Sequence, residues 1–134
     1  MAEGVGQALA QRGAVVVTGG LGGVMAAASR GAASAGGLTV GILPGLERHE
    51  ANEWVQVALP TGMGELRNGL VVRAVDAVIA VGGAYGTLSE IALALATGVP
   101  VVGLNTWQID RVESVDSVPE AVTRVLALAD HRRA

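Results

Sequence analysis

The chain has no cysteine and no phenylalanine, and its only aromatic residues are two Trp and one Tyr. Without cysteine there can be no disulfide, no thiolate nucleophile and no cysteine-ligated metal. So few rings also remove the usual stacking platform for single-stranded nucleic acid. Charged residues are only 16% of the chain, and the formal net charge of −3 lacks the clustered cations of a nucleic-acid footprint. The chain does not open with a charged segment followed by an apolar one, and no uninterrupted apolar run reaches ~18 residues. These absences predict a soluble, cytoplasmic protein with neither a nucleic-acid nor a membrane partner. His49 and His131 stand apart, without metal-ligand spacing, so they read as surface residues and no metal site is expected.

What is present is apolar and rich in glycine. The 134 residues suffice for one domain, 1–134, with a real core. Half the chain is hydrophobic, mostly Ala, Val, Leu and Ile, which excludes disorder. Twenty glycines without a collagen period indicate tight turns and close backbone approaches.

Short β-branched runs alternate with longer Ala- and Leu-rich segments. Strands are expected at 14–18 (AVVVT), 38–43 (LTVGIL), 76–81 (DAVIAV) and 99–104 (VPVVGL), with a weaker one at 54–59 (WVQVAL). Helices are expected at 3–12, 24–35, 66–75, 87–97 and 119–129, the last with Pro119 at its start. Continuous apolar strands imply burial on both faces, so the pattern predicts a doubly wound parallel sheet with helices on each side. A strand normally precedes the first helix of such a fold. None does here, so the usual first strand is expected to be missing.

In an open parallel sheet the strand-to-helix loops share the carboxyl edge, where ligands bind. Four segments are expected on that rim: Gly19-Gly20-Leu21-Gly22-Gly23, the loop at Pro44-Gly45, residues 61–68, and Gly82-Gly83-Ala84-Tyr85-Gly86-Thr87. Glycines let a bulky anion approach the backbone, and a helix start offers unpaired N–H groups at the positive dipole end. Each glycine loop reads either as a phosphate cradle or as a tight turn that binds nothing. Neither carries a P-loop ending. The strand ending Ile42-Leu43-Pro44 lacks the acid that would hold a dinucleotide ribose, which argues against NAD. Glu90 fits a Thr87-x-x-Glu90 capping box equally well as an acid–base or ribose-binding group. Arg67, at a helix start on the same rim, is either solvated or functional.

The run GGLGGVMAAASRGAASAGGLTVGILPG, then GMGELRN, then DAVIAVGGAYGTLSEIALALATGVPVVGL resembles the LONELY GUY-like proteins. The match is closest to the bacterial branch similar to molybdenum cofactor carriers. The resemblance covers residues 3–104 and implies a Rossmann-like fold assembled as a homodimer or homotetramer. It places Arg67 and Glu90 on the catalytic arginine and glutamate of the phosphoribohydrolase members. It also implies a ligand-binding set of Gly19, Gly20, Gly22, Gly23, Met25, Pro44, Asn68, Gly82, Gly83, Gly86 and Thr87. Those members cleave a nucleoside 5′-monophosphate to free base and ribose 5-phosphate. Here Gly82 takes the place of the motif proline, Ala84 that of its second glycine and Asn68 that of its lysine. Arg67-Asn68 and Leu88-Ser89-Glu90 instead resemble the carrier-like branch. The expected function is therefore binding of a phosphorylated, nucleotide-like small molecule, either an AMP-like nucleotide or molybdenum cofactor, with no cofactor required. Phosphoribohydrolase activity is the alternative, and a DNA-processing module a distant third.

Overall fold

The fold is described from a computed structural model, which covers residues 1–133. Its elements run α1 (Ala2–Gln11), β1 (Val16–Thr18), α2 (Val24–Ser34), β2 (Thr39–Leu43), β3 (Val57–Pro60), α3 (Arg67–Arg73), β4 (Val78–Gly82), α4 (Tyr85–Ala96), β5 (Val101–Thr106), β6 (Glu113–Val115) and α5 (Val118–Arg133). The chain forms two compact units, Met1–Val71 and a second beginning at Val72. Each contains a three-stranded parallel sheet, ordered β1-β2-β3 in the first and β4-β5-β6 in the second. This is the parallel α/β architecture expected from the alternation of apolar runs. Among the described residues no helix is long and apolar enough to cross a membrane.

In the first unit α1 and α2 meet backbone to backbone. A Cβ on Gly6 would lie 1.9 Å from the Ala28 carbonyl oxygen, and one on Gly31 would lie 1.9 Å from that of Glu3. Glycine is required at both positions by space, since neither has a positive φ. The crossing is tied at its rim by Arg30, whose Nε donates to Glu3 Oε2 at 2.8 Å and whose guanidinium lies 5.3 Å from the Trp54 ring centroid.

Strand β3 begins at Val57, three residues later than the apolar pattern suggests. Trp54 lies before it, with its carbonyl accepting from Thr39 Oγ1 at 2.6 Å. The apolar character of Trp54-Val55 comes from packing under α2 and β2 rather than from a ladder: Trp54 faces Arg30, and Val55 lies against Gly41.

The core of the second unit is built from Val72, Ala80, Ile91, Ala94, Val99 and Val101, with Trp107, Ile109 and Val112 packed on its margin. Ile91 is fully buried, whereas Leu93 on the same helix is exposed. Strand β6 has no counterpart among the apolar runs of the sequence. It pairs parallel to β5, Val102 opposite Glu113, although only residues 107–112 separate the two strands. A parallel return normally takes about a dozen residues. Here left-handed backbone at Asn105 (φ 53) and Arg111 (φ 73) turns the chain at both ends of the link. Helix α5 begins after Ser117, whose Oγ accepts from Glu120 N at 3.3 Å while Glu120 Oε1 accepts from the hydroxyl. Arg124 reaches from α5 to β6 and pairs with Glu113 through Nε and Nη2 at 2.5 and 2.8 Å.

The helix crossing can be tested by mutation. Gly6→Ala or Gly31→Ala should destabilise the protein by at least about 1–3 kcal/mol in urea unfolding, because the clash is with backbone that cannot rotate away. The exposed neighbour substitution Gln7→Ala should stay within about 0.5 kcal/mol. Separately, the Arg124 hydrogen bond holds the Glu113 carboxyl below the ordinary glutamate range. A depressed folded-state value means the contribution is fully present above the unfolded pKa and is lost as pH falls through the folded one. An NMR titration should find the Glu113 midpoint low in the wild type and restored to ordinary in Arg124→Ala.

Candidate functional site

Strand β1 ends at Thr18, whose hydroxyl accepts from Gly20 N at 3.0 Å and starts the turn into α2. Gly20 has φ 80, and a Cβ there would lie 2.5 Å from Leu43 Cδ2, so both conformation and space demand glycine. Gly23, the N-cap of α2, has φ 64. No side chain caps this helix, and its first turn contains no acid. Its N-terminal N–H groups and positive dipole end therefore remain available to an anion. Gly22 is different. It needs no positive φ, and nothing lies within 4 Å of where its Cβ would stand.

Arg67 projects into this turn from the start of α3. It is only 8% exposed. Its Nη2 makes a long 3.4 Å contact with the Gly19 carbonyl oxygen and lies 3.9 Å from Met25 Sδ. Its Nη1 donates to Asn68 Oδ1, and its Nε is buried without a hydrogen-bond partner. A Cβ on Gly19 would sit 2.5 Å from Nη2, so any side chain there would displace the guanidinium. Within the first unit, no carboxylate lies within 4.0 Å of Arg67. A buried cation held only by neutral oxygens and a thioether is costly unless an anion joins it.

Five of the residues singled out from sequence thus meet in the first unit: Gly19, Gly20, Met25, Arg67 and Asn68. Pro44 belongs to a neighbouring pair of loops. Its carbonyl accepts from Gly64 N at 3.0 Å, while the Leu43 carbonyl accepts from Thr61 N and Oγ1 at 3.0 and 2.7 Å. Asn52 is a residue that sequence reasoning missed. Its Nδ2 donates to the carbonyls of Gly20 and Leu21 at 3.2 and 2.9 Å, its own N–H reaches Gly20 O at 2.9 Å, and its Oδ1 accepts from Trp54 N at 3.0 Å. Thirty-two residues separate it from Gly20, and no local pattern marks such a brace.

In the second unit Gly82 (φ 84) ends β4 at a register shift, and its carbonyl accepts from Thr106 Oγ1 at 2.5 Å. Trp107 Nε1 donates to the Ala84 carbonyl at 3.2 Å. Helix α4 starts at Tyr85 with Ala84 as N-cap, two residues before the expected start. Thr87 is therefore inside the first turn and cannot cap the helix, so the Thr87–Glu90 capping box is not formed. Gly86 adopts helical backbone without breaking the turn. The capping-box spacing is realised at Ser117–Glu120 instead. Ala84 is extended (φ −67, ψ 151), which suits alanine in a motif position usually held by glycine. Gly83 and Gly86, like Gly22, have neither a positive φ nor any atom within 4 Å of where a Cβ would stand. Glu90 lies half-buried on α4, in the second unit, whereas Arg67 lies in the first.

A model of the SLOG cluster4 family matches residues 1–131. The chain belongs to the SLOG cluster4 family. This is a LOG-like family, in agreement with the resemblance carried by the three glycine-containing motifs. An uncharacterized protein of Archaeoglobus fulgidus is 47% identical to this family member over 116 residues, 87% of the chain and 76% of the relative. Among solved structures, the molybdenum cofactor binding protein of the phototrophic bacterium Rippkaea orientalis matches with a TM-score of 0.89 at 37% identity, covering 95% of this chain and 85% of that one. The molybdenum cofactor carrier protein of Chlamydomonas reinhardtii matches with a TM-score of 0.88 at 34% identity, covering 97% and 86%. This member of the SLOG family thus has the Rossmann-like α/β fold.

Because Asn52 holds the two carbonyls that shape the Gly19–Gly23 turn, Asn52→Ala should lower stability by about 1–3 kcal/mol. The midpoint of urea unfolding measures this directly, with an unchanged m-value expected.

Proposed function

We propose that this chain binds a phosphorylated, nucleotide-like small molecule without turning it over, and that molybdenum cofactor is the ligand its relatives point to. The observation that carries this reading is the Arg67 guanidinium, buried, with its Nε unpartnered and no carboxylate of the first unit within 4.0 Å. A phosphate beside the uncapped start of α2 supplies the missing negative charge. It can accept from the α2 N–H groups and from Arg67 at once, and charge-assisted bonds of this kind are the strong ones. Gly22 leaves room for that group.

The residues fit a phosphorylated cofactor in their donor chemistry. Arg67 and the Gly19–Gly23 backbone would hold the phosphate, with Asn68 and the Gly19 carbonyl fixing the guanidinium plane. Asn68 supplies an acceptor where a lysine would supply a second cation, so the charge offered here is a single oriented one. When bound, molybdenum cofactor would bring the phosphate and a pterin ring system, and this chain's part is to bind and shield. The Gly82–Thr87 loop of the second unit is an element of the same kind, with an uncapped helix start and two glycines open to solvent. In this reading Glu90 carries no chemical step.

Calorimetry and thermal melting with AMP and with molybdenum cofactor test the proposal, using wild type and Arg67→Met. A ligand at 100 times its Kd should stabilise the wild type by about 2.7 kcal/mol, and Arg67→Met should abolish most of that response. Without ligand Arg67→Met should melt no lower than wild type, since it removes an uncompensated buried charge. A response to ligand that survives in Arg67→Met defeats the assignment. Free base released from AMP, and lost in a folded Glu90→Ala variant, would reinstate the hydrolase.

A further inference from the structure

The strand register sorts the residues of the first unit's sheet between its two faces. Directly paired residues of a parallel sheet point to the same side, and residues two apart along a strand share that side. Val16, its partner Thr39, and Leu43 therefore lie on one face, and all three are buried. Helices α1 and α2 pack against this sheet. The other face carries the row Val17–Val40–Val57 and the pair Ile42–Leu59. Val15 and Leu38, two residues before Val17 and Val40, extend it.

This second face is aliphatic throughout, yet much of it is open. Val15, Leu38, Val57 and Leu59 are each between 40% and 52% exposed, and Val17 and Val40 are half-buried. A solvated sheet face normally alternates to polar residues. Here no side chain on the face carries a donor, an acceptor or a charge, so it is built to be covered.

Chemistry and size select the occupant. Nothing on this face reads a partner by hydrogen bonding or charge, so a charged peptide or a nucleic acid gains nothing there. A few hundred Å² of aliphatic surface is the size at which a patch marks an interaction site. A standard interface takes about 800 Å² from each partner, a little over half of it apolar. The face therefore supplies most of the apolar part of one such interface. A second copy offers the same flat, β-branched surface, and a two-fold axis sets the face against itself, sheet on sheet about 10 Å apart.

We propose that this face, formed by Val15, Val17, Leu38, Val40, Val57 and Leu59, is the contact between two copies of this chain. The contact is independent of the ligand assigned to Arg67.

Light scattering over a concentration series measures the association. Wild type should reach twice the 13.4 kDa of the chain or a higher even multiple, and Leu59→Glu should fall to a smaller mass while still melting cooperatively. A second readout does not depend on a charged variant folding. The chain has no cysteine, so Leu59→Cys provides a single thiol whose labelling by a thiol reagent reports cover at this face. Labelling should slow by about ten-fold or more as the concentration rises through the range of association. Three results overturn the proposal: a wild-type monomer throughout the series, an assembly whose mass a folded Leu59→Glu leaves unchanged, or a labelling rate independent of concentration. A rate slow at every concentration assigns the cover to the same chain, and a fast one leaves the face to a different protein.

Discussion

The structure depends most on a guanidinium buried beside a carbonyl oxygen, with no carboxylate among the described residues of its own unit to neutralise it. Arg67 costs the isolated protein stability, and several nearby features follow from keeping it in place. Gly19 must have no side chain, because a Cβ would stand 2.5 Å from Nη2. Asn68 must present an oxygen to Nη1, and Asn52 must hold the turn whose carbonyl Arg67 touches. A fold selected for stability alone would place an apolar side chain there. Retention of the charge is intelligible if a ligand supplies its counter-ion.

The glycines divide by physical cause, and under the proposed function the division separates scaffold from site. Gly6 and Gly31 serve packing, Gly20, Gly23 and Gly82 serve backbone conformation, and Gly22, Gly83 and Gly86 serve neither. Gly86 sits in a helix, where glycine costs about 1 kcal/mol relative to alanine. Open space in place of a side chain, at two helix starts without side-chain caps, is what a bare motif count cannot distinguish from a tight turn.

Much of this is legible in the chain itself. The continuous apolar runs place β1, β2, β4 and β5 within a few residues, three of them stopped by Gly19-Gly20, Pro44-Gly45 and Gly82-Gly83, since such runs have few other uses. Arg67 and the glycine loops are marked by type and position. Three things are not legible. Strand β6 (Glu113–Val115) is short and carries a charge, and its pairing depends on positive φ at Asn105 and Arg111, which no composition rule predicts. The Thr87–Glu90 spacing suggests a cap, but Tyr85 and Gly86 extend the helix past it. Asn52 and Trp107 act through contacts made only by the folded chain, so their sequence neighbours say nothing of them.

The chain's poverty in aromatic residues has a practical counterpart. Trp54 lies in the first unit and Trp107 in the second, each against a different neighbour: Arg30 in one case, Tyr85 and the Ala84 carbonyl in the other. With no third indole in the chain, each half carries a single tryptophan, which can be excited selectively over Tyr85, in its own electrostatic surroundings. Replacing either tryptophan by phenylalanine leaves an optical reporter confined to one unit. The order in which the two halves of the molecule assemble can then be read from emission alone, without attaching a dye.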